Sequence, residues 1–255
     1  MGFARKSRDV LEIITPVIFG IVAILYSAIG QAGGTGYIAT MGLLGFTPDV
    51  IKPTALALNV LVAAIGSVRF YCAGLLTWQT CYPFAIFGAP FSLVGGATHL
   101  PASIYQPVVG SLLLLAAFQI IRSAHRADAI DNAAPQNPPF ILSLISGGAI
   151  GFVSGTNGIG GGIFLAPLVL ALGWASTRQS AAVSAAFNLL NSAAALAGVW
   201  ATMPTLPVEL PWWLLAVGLG GLSGSWLGAY HLPPAVLRFI LASLLLLAGL
   251  RMIFL

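Results

Sequence analysis

The chain has 255 residues, of which 58% are hydrophobic and only 6% are charged, whereas an ordinary soluble domain carries about 25% charged residues. This composition indicates an integral membrane protein and excludes a soluble globular domain. The net charge of +4 comes from basic residues dispersed over many short loops, so it reports membrane topology and excludes a nucleic-acid-binding surface.

Apolar runs of about 18 residues or more, the length needed to cross a bilayer, follow one another along the chain. They begin near Ile13, Val50, Thr80, Ser103, Phe140, Thr177, Pro211 and Ala235. Two further runs, 37–46 and 163–173, are too short to span easily, and each follows a glycine cluster. We therefore expect an all-α polytopic, multi-pass membrane protein with about eight to ten membrane segments.

The charged residues, Lys52 among them, all lie at or beyond the edges of these runs. An ionised group at the bilayer centre costs at least about 2.5 kcal/mol, which explains this exclusion. The pattern predicts a membrane interior without full charges, and it leaves no carboxylate for a proton relay.

The two halves of the chain resemble each other, which indicates an internal repeat. The stretch VGGATHLPASIYQPVVGSLLLLAAFQII (94–121) aligns without a gap to WLGAYHLPPAVLRFILASLLLLAGLRMI (226–253). Earlier in each half, GQAGGTG (30–36) lies opposite GTNGIGGG (155–162). The polar, Pro-rich stretch between the halves reads as an exposed loop. The expected organisation is a first membrane repeat at 1–123, a polar linker at 124–139 and a second membrane repeat at 140–255.

The glycine clusters need a physical explanation, because glycine is a poor helix former. A phosphate loop is excluded, since GTNGIGGG continues into Ile163-Phe164-Leu165 where a Lys-Ser/Thr pair is required, and a dinucleotide site lacks its acidic residue. Backbone freed from a helix is tolerated at membrane depth only where protein buries it or where it lines a polar cavity. Paired Gly-interrupted short segments in two repeats are the best sequence pointer to a transporter's binding site.

The short helices that follow the clusters would direct their partly positive N-termini into such a cavity, so the site should favour an anion. Asn59 and Asn188 align between the halves near the middle of their spans. A buried amide there needs a partner, which is either another helix or a ligand, and the repetition favours a ligand. The predicted substrate-binding residues are Gln31, Gly33, Gly34, Thr35, Gly36, Asn59, Gly155, Thr156, Asn157, Gly158, Gly160, Gly161, Gly162 and Asn188. Other glycines, such as Gly88, Gly221 and Gly224, are expected to serve helix packing.

The stretch SGTNGIGGGIFLAPL (154–168), the small-residue helix at 180–197 and LPPAVLRF (232–239) resemble the TauE/SafE family of sulfite and organosulfonate exporters. The first half departs from this pattern, because GQAGGTG lacks the triple glycine and Met41 replaces the proline. The resemblance implies a secondary transporter of the bacterial inner membrane that exports a small anion, either a sulfur-containing one such as sulfite or an organosulfonate, or a carboxylate. It implies no cofactor; the expected partners are that anion and the lipid bilayer, with a homodimer left open.

Two other functions are compatible with parts of the sequence. A passive anion channel is the more serious, since no carboxylate is available for coupling. An intramembrane serine hydrolase would need Ser154 and His231 as nucleophile and base, but Ser154 lacks the glycine two positions before it. We therefore expect no enzymatic activity.

The remaining polar residues are expected to be structural. His99 and His231 each precede Leu-Pro in a short connection, which indicates a turn or an interface. Cys72 and Cys81 have no metal-ligand or disulfide spacing.

The charge distribution bears on topology. If the short helices re-enter without crossing, eight spans result and most basic residues lie on one side; if they cross, ten spans and inverted halves split them evenly. The positive-inside rule favours eight spans.

Overall fold

The structure, a computed structural model, describes residues 2–28, 31–76, 78–130, 138–202, 206–230 and 234–254. The regular elements in these ranges are all α-helices. They are α1 (Gly2–Ala28), α2 (Gly34–Leu44), α3 (Pro48–Cys72), α4 (Trp78–Ala97), α5 (Ala102–Ile130), α6 (Phe140–Asn157), α7 (Gly162–Ala171), α8 (Thr177–Thr202), α9 (Leu210–Tyr230) and α10 (Pro234–Phe254). The prediction of an all-helical polytopic protein is confirmed.

In the part of the chain that the structure describes, five helical segments are long and apolar enough to cross a membrane: Pro48–Cys72, Trp78–Ala97, Ser103–Arg122, Phe140–Asn157 and Arg178–Thr202. The exposed and buried side chains are distributed as a bilayer requires. Ile141 is 70% exposed and Phe118 is 59% exposed, whereas Asn59 and Ser192 are fully buried. Apolar side chains therefore face outward and polar side chains such as that of Asn59 lie inside, the arrangement that a hydrocarbon solvent favours.

The two short helices begin at glycines with left-handed backbone. The residue before α2 is Gly33, with φ of 94°, and the residue before α7 is Gly161, with φ of 88°. Only glycine adopts such angles without a steric cost. The glycine clusters thus end one helix and start the next, as the sequence indicates.

Glycines also set the closest helix contacts. Along α6, the glycines 147, 151 and 155 lie against the backbones of residues 84, 88 and 92 of α4, with no room for a Cβ atom. Equal steps in the same direction mean that α4 and α6 are parallel. In the same way, Gly220 and Gly224 of α9 lie against Gly20 and Ile24 of α1, so α1 and α9 are parallel. The predicted packing role of Gly88 and Gly224 is confirmed.

Two other helix pairs run in opposite directions. Near the side of the bundle that carries Pro48 and Thr202, which we call side A, Leu56 of α3 clusters with Val199 of α8. Farther along α3, Gly66 approaches Ala185. The order is reversed along α8, so α3 and α8 are antiparallel. Contacts of Gly110 with Ile253, and of Leu114 with Gly249, make α5 and α10 antiparallel as well.

Helix α2 returns to the side from which α1 comes. The start of α2 meets the end of α1, where the Tyr26 and Thr35 hydroxyls are 2.8 Å apart. Phe46, just beyond α2, packs on Trp213 near the start of α9, which runs parallel to α1. Helices α1 and α2 therefore form a hairpin that enters and leaves at side A.

Helices α6 and α7 form a second hairpin. Gly161 turns back onto Ser154 and Ile150 of α6, and the carbonyl of Ala166 in α7 accepts a hydrogen bond from Ser180 at the start of α8. This hairpin therefore opens at the opposite side of the bundle, which we call side B and which carries Cys72.

These directions contradict the eight-span arrangement favoured by the charge distribution. That arrangement places the start of α1 and the start of α3 on opposite sides, whereas the helix contacts place both on side A. The positive-inside rule was misleading because the ten basic residues divide evenly between the two sides of a ten-helix arrangement and so give it no charge bias.

Candidate functional site

The tips of the two hairpins meet inside the bundle. Gly34, at the start of α2, approaches the carbonyl oxygen of Ile159, and a Cβ atom on Gly34 would lie 2.5 Å from it. Both glycine clusters therefore contribute to one site, although they are far apart in sequence.

Two asparagines and one serine form a hydrogen-bond network at the hairpin tips. The Asn59 Nδ2 atom donates to Asn188 Oδ1 at 3.0 Å and to Ser192 Oγ at 2.7 Å, and Asn188 Nδ2 donates back to Asn59 Oδ1 at 3.4 Å. Gly160 lies directly on this network, so that a Cβ atom there would overlap all three side chains. The network needs a glycine at this position, and it ties α3 to α8.

A small cavity lies beside this network, between the N-terminal ends of α2 and α7. Neither short helix can satisfy its first amide groups internally, so both present N–H groups at the cavity. The residues that line it are Tyr26, Gln31, Ala32, Gly33, Gly34, Thr35, Ile159, Gly162, Ile163, Ser184, Ala185 and Asn188. We call this space the central cavity.

The described residues that line the central cavity include polar groups but no charged residue. The Tyr26 and Thr35 hydroxyls pair with each other, and Asn188 is held by Asn59. The Ser184 hydroxyl is buried, with the residue 5% exposed, and has no hydrogen-bond partner. It is therefore a side-chain donor in the cavity wall that is free to bind a ligand.

A charged residue lies on the other side of the hairpin tip. Lys52 is only 9% exposed, and its Nζ atom donates to the carbonyl oxygens of Gly95, Gly96 and Thr98 at 3.1, 2.8 and 2.9 Å. These carbonyls form the partly negative end of α4, which a cation stabilises. Lys52 lies at the edge of its apolar run, in the first turns of α3, but it is buried there and interacts with the end of α4.

Lys52 lines a second small cavity, which lies toward side A. The Lys52 backbone also contacts Gly158, and the Tyr105 hydroxyl donates to the Asn157 carbonyl at 3.1 Å. The tip of the second hairpin is therefore held between Lys52 and Tyr105. The tip and the asparagine network separate this side-A cavity from the central cavity.

Most of the predicted site residues lie close together, in three groups. Gln31, Gly33, Gly34, Thr35, Gly162 and Asn188 line the central cavity. Asn59 and Gly160 form the network beside it, and Gly161 makes the turn into α7. The other five predicted residues lie outside the central cavity and the network. Gly36 packs on Tyr26, Gly155 packs on the Ser92 backbone and Gly158 packs on Lys52. Thr156 lines the side-A cavity, and the Asn157 side chain donates to the Val153 carbonyl.

Sequence reasoning missed Ser184 and Ser192. Both lie on α8, four residues before and four after Asn188, so all three side chains share one helix face. This spacing was a usable signal, but single serines in an alanine-rich helix are common and did not stand out.

The other residues considered have structural surroundings. His99 is exposed in the connection between α4 and α5, whereas His231 lies outside the described residues. Ser154 is buried and donates to the Gly151 carbonyl. Cys72 is exposed, Cys81 is buried, and both are free thiols. In the described ranges no cluster of His, Cys, Asp or Glu could hold a metal ion.

Comparisons with known proteins agree with this arrangement. The family model described as sulfite exporter TauE/SafE matches residues 16–252. The chain is 49% identical to Probable membrane transporter protein y4hK of Sinorhizobium fredii, over 93% of this chain and 96% of that protein. It is 29% identical to Probable membrane transporter protein MJ0441 of Methanocaldococcus jannaschii, over 68% and 66% of the two chains. No solved structure matches.

The family and these relatives are membrane transporters, so the prediction of a transporter and not an enzyme is confirmed. Several apolar helices are long enough to cross a membrane, and the chain resembles a bacterial membrane transporter over nearly its whole length. The chain is therefore a multi-pass bacterial membrane protein. On a match that covers nearly its whole length, the chain belongs to the sulfite exporter TauE/SafE family.

Proposed function

We propose that this transporter is a carrier that exports a small sulfur-containing anion such as sulfite or an organosulfonate. The observation that carries the proposal is the convergence of two helix N-termini, those of α2 and α7, on one uncharged cavity. Each N-terminus carries a partial charge of about +0.5, and its free amides can donate to oxyanion oxygens. The family name supports a sulfur oxyanion as the ligand.

The chemistry of the cavity wall argues against a cation as substrate. Among the described residues no carboxylate lines the cavity, whose polar groups are hydroxyls and amides. An anion held only by partial charges and hydrogen bonds is released more easily than one paired with a buried cation. Weak, multiple contacts suit repeated turnover.

We further propose that the two repeats, 1–123 and 140–255, are inverted copies joined by the linker 124–139. The expectation that this linker is a loop was wrong for its first part, because α5 continues to Ile130. The helix contacts support this, because exchanging the halves turns the parallel pair α1 and α9 into α6 and α4, which are also parallel. The antiparallel pairs α3 with α8 and α5 with α10 exchange into themselves. Inverted repeats around a central site are the usual architecture for alternating access.

The binding residues in this proposal are those around the central cavity. The amides of Gly34, Thr35, Gly162 and Ile163 would donate to the anion, with Ser184 as the side-chain donor. Asn59, Asn188 and Gly160 would form the barrier toward side A, which the hairpins must move to open. Rocking of one repeat against the other would then expose the cavity alternately.

Purified protein in liposomes tests the proposal. Fluxes of sulfite, short sulfonates, sulfate and short carboxylates are measured with and without a pH gradient. Counterflow separates a carrier from a passive channel: an unlabelled anion trapped inside should accelerate entry of the labelled one. Movement of a cation or neutral solute, with none of these anions, would overturn the proposal; anion flux without counterflow would favour the channel.

The mass of the detergent-solubilised protein tests the homodimer hypothesis.

A further inference from the structure

We propose that the central cavity is a monoanion site: it takes an oxyanion of charge −1, held by the N-termini of α2 and α7 and the Ser184 hydroxyl, and it discriminates against dianions. This inference rests on the proposed anion transport and adds to it a rule for substrate charge. It concerns the net charge of the ligand, which the size of the cavity does not decide.

The first argument is a count of charge. The positive potential in the cavity comes from two helix ends, which together amount to about one elementary charge. No charged side chain is among the lining residues. A monoanion is therefore matched by its surroundings, whereas a dianion leaves about one charge without compensation.

The second argument concerns Lys52, the buried cation on the other side of the hairpin tip. The Lys52 Nζ atom has three N–H donors and directs them at three carbonyl oxygens of the α4 end. Its side chain lines the side-A cavity, beyond the Asn59–Asn188 network. Lys52 is thus already matched by a helix end and does not supply the second positive charge that a dianion requires.

The third argument is the burial of the site. The network residues Asn59 and Ser192 are fully buried, and Ser184 is 5% exposed. Uncompensated charge costs far more in such surroundings than in water. This penalty falls on the dianion alone, because the helix ends match the charge of a monoanion and a neutral molecule has no charge to match. A neutral molecule, however, gains nothing from the helix ends.

The buried Ser184 hydroxyl indicates a ligand site independently of the helix N-termini. Its hydroxyl is buried without a partner in the cavity wall, which is costly unless something binds there. A neutral hydroxyl can donate to an oxyanion oxygen without adding charge. It therefore strengthens binding of the anion while keeping the charge balance of the cavity.

Three tetrahedral sulfur compounds of similar size test the charge rule in proteoliposomes: dimethyl sulfone is neutral, methanesulfonate is a monoanion and sulfate is a dianion. Each competes with uptake of labelled methanesulfonate, and labelled sulfite uptake is measured in parallel. We expect unlabelled methanesulfonate to compete at concentrations about tenfold or more below those of sulfate and of dimethyl sulfone. Sulfite uptake should rise as the pH is lowered equally on both sides, because the protonated species is the monoanion.

The outcomes separate the two levels of the proposal. Sulfate that competes as well as methanesulfonate overturns the charge rule and leaves anion transport intact. Uptake of neither methanesulfonate nor sulfite overturns the proposed function itself. Competition by dimethyl sulfone equal to that of methanesulfonate overturns recognition of charge.

A matched pair of variants tests the serine. Ser184→Ala removes the buried donor, whereas Ser223→Ala removes an exposed hydroxyl of α9 that donates within its own helix. We expect Ser184→Ala to weaken half-saturation by methanesulfonate about tenfold and Ser223→Ala to leave it unchanged. Equal behaviour of the two variants, in preparations with the same melting temperature, would overturn the role of Ser184.

Discussion

Asn59 and Asn188 exchange amide hydrogen bonds at the centre of the bundle, at 3.0 and 3.4 Å. One belongs to α3 and the other to α8, and they occupy matching positions in the two halves of the sequence. Of the two roles that the sequence allowed, the interhelical contact is the one formed in this conformation. Because the central cavity ends at this pair, the pair is placed to act as a barrier that transport must break.

The first prediction is a double-mutant cycle on this pair. Asn59→Ala and Asn188→Ala should each lower the free energy of unfolding by about 1–3 kcal/mol, because each leaves the other amide buried without its partner. The double variant should lose less than the sum of the two, since no unpaired amide remains. Thermal unfolding in detergent measures all three. Additive losses would show that the two amides are energetically independent.

The second prediction compares two glycines that receive the same substitution. Gly160→Ala should abolish anion transport, because Gly160 has φ of 87° and a Cβ atom there overlaps the asparagine network. Gly221→Ala should be mild, since its Cβ atom would meet only Val62 and Ile65 side chains at 3.5 Å or more. Flux in proteoliposomes, normalised to the amount of protein inserted, measures both. Equal effects would reduce the cluster to ordinary helix packing.

Much of the fold could be predicted because hydrophobic runs report helices directly. The run starting at Phe140 is α6, and the one starting at Thr177 is α8. The helix breaks were equally visible, since clustered glycines are poor helix formers. Segment directions could not be obtained in this way: whether α2 and α7 return to their side of entry depends on contacts between distant helices.

The candidate site was predicted in part for the same reason. Both glycine clusters and both asparagines could be identified from the repeat, and they lie together. The burial of Lys52 was not predicted because its partners are carbonyl groups at the end of α4, more than forty residues away in sequence. Burial of a charge is decided by such non-local acceptors, which composition and local pattern do not reveal.

The third prediction concerns this lysine. Lys52→Met should destabilise the protein by about 2–4 kcal/mol, because it removes three charge-assisted bonds and takes this donor from the Gly96 and Thr98 carbonyls at the end of α4. Lys52→Arg should lose less, since a guanidinium also donates to several acceptors. The melting temperature in detergent ranks the three proteins. A Met variant as stable as the native protein would mean that the bonds to α4 contribute nothing net.

The fourth prediction tests packing between α4 and α6. Gly151→Val should destabilise by about 1–3 kcal/mol or more, since even a Cβ atom at Gly151 overlaps the Gly88 backbone. Gly148→Ala on the same helix should be tolerated better, because its nearest neighbour is the Phe87 side chain at 3.3 Å. Thermal unfolding again measures the difference. Equal stability of the two variants would contradict the close parallel contact of these helices.

The last prediction decides the topology with a native thiol. Cys72 is exposed and ends α3 at side B, whereas Arg251, near the end of α10, donates to the Leu43 carbonyl at side A. In a Cys81→Ser background, a membrane-impermeant maleimide should therefore label Cys72 only from the side opposite a C-terminal tag.

The eight-span arrangement puts Cys72 and the C-terminal end of α10 on the same side, so the two models give opposite labelling patterns. A second thiol supplies the matched control. His99 is exposed between α4 and α5, at side A, and His99→Cys in a chain lacking both native thiols should react from the same side as the tag. Labelling is compared in right-side-out and inverted vesicles, with the tag detected by protease. If Cys72 reacted from the tag's side and residue 99 reacted from the other side, the eight-span arrangement would be correct. The two hairpins would then not be inverted relative to each other.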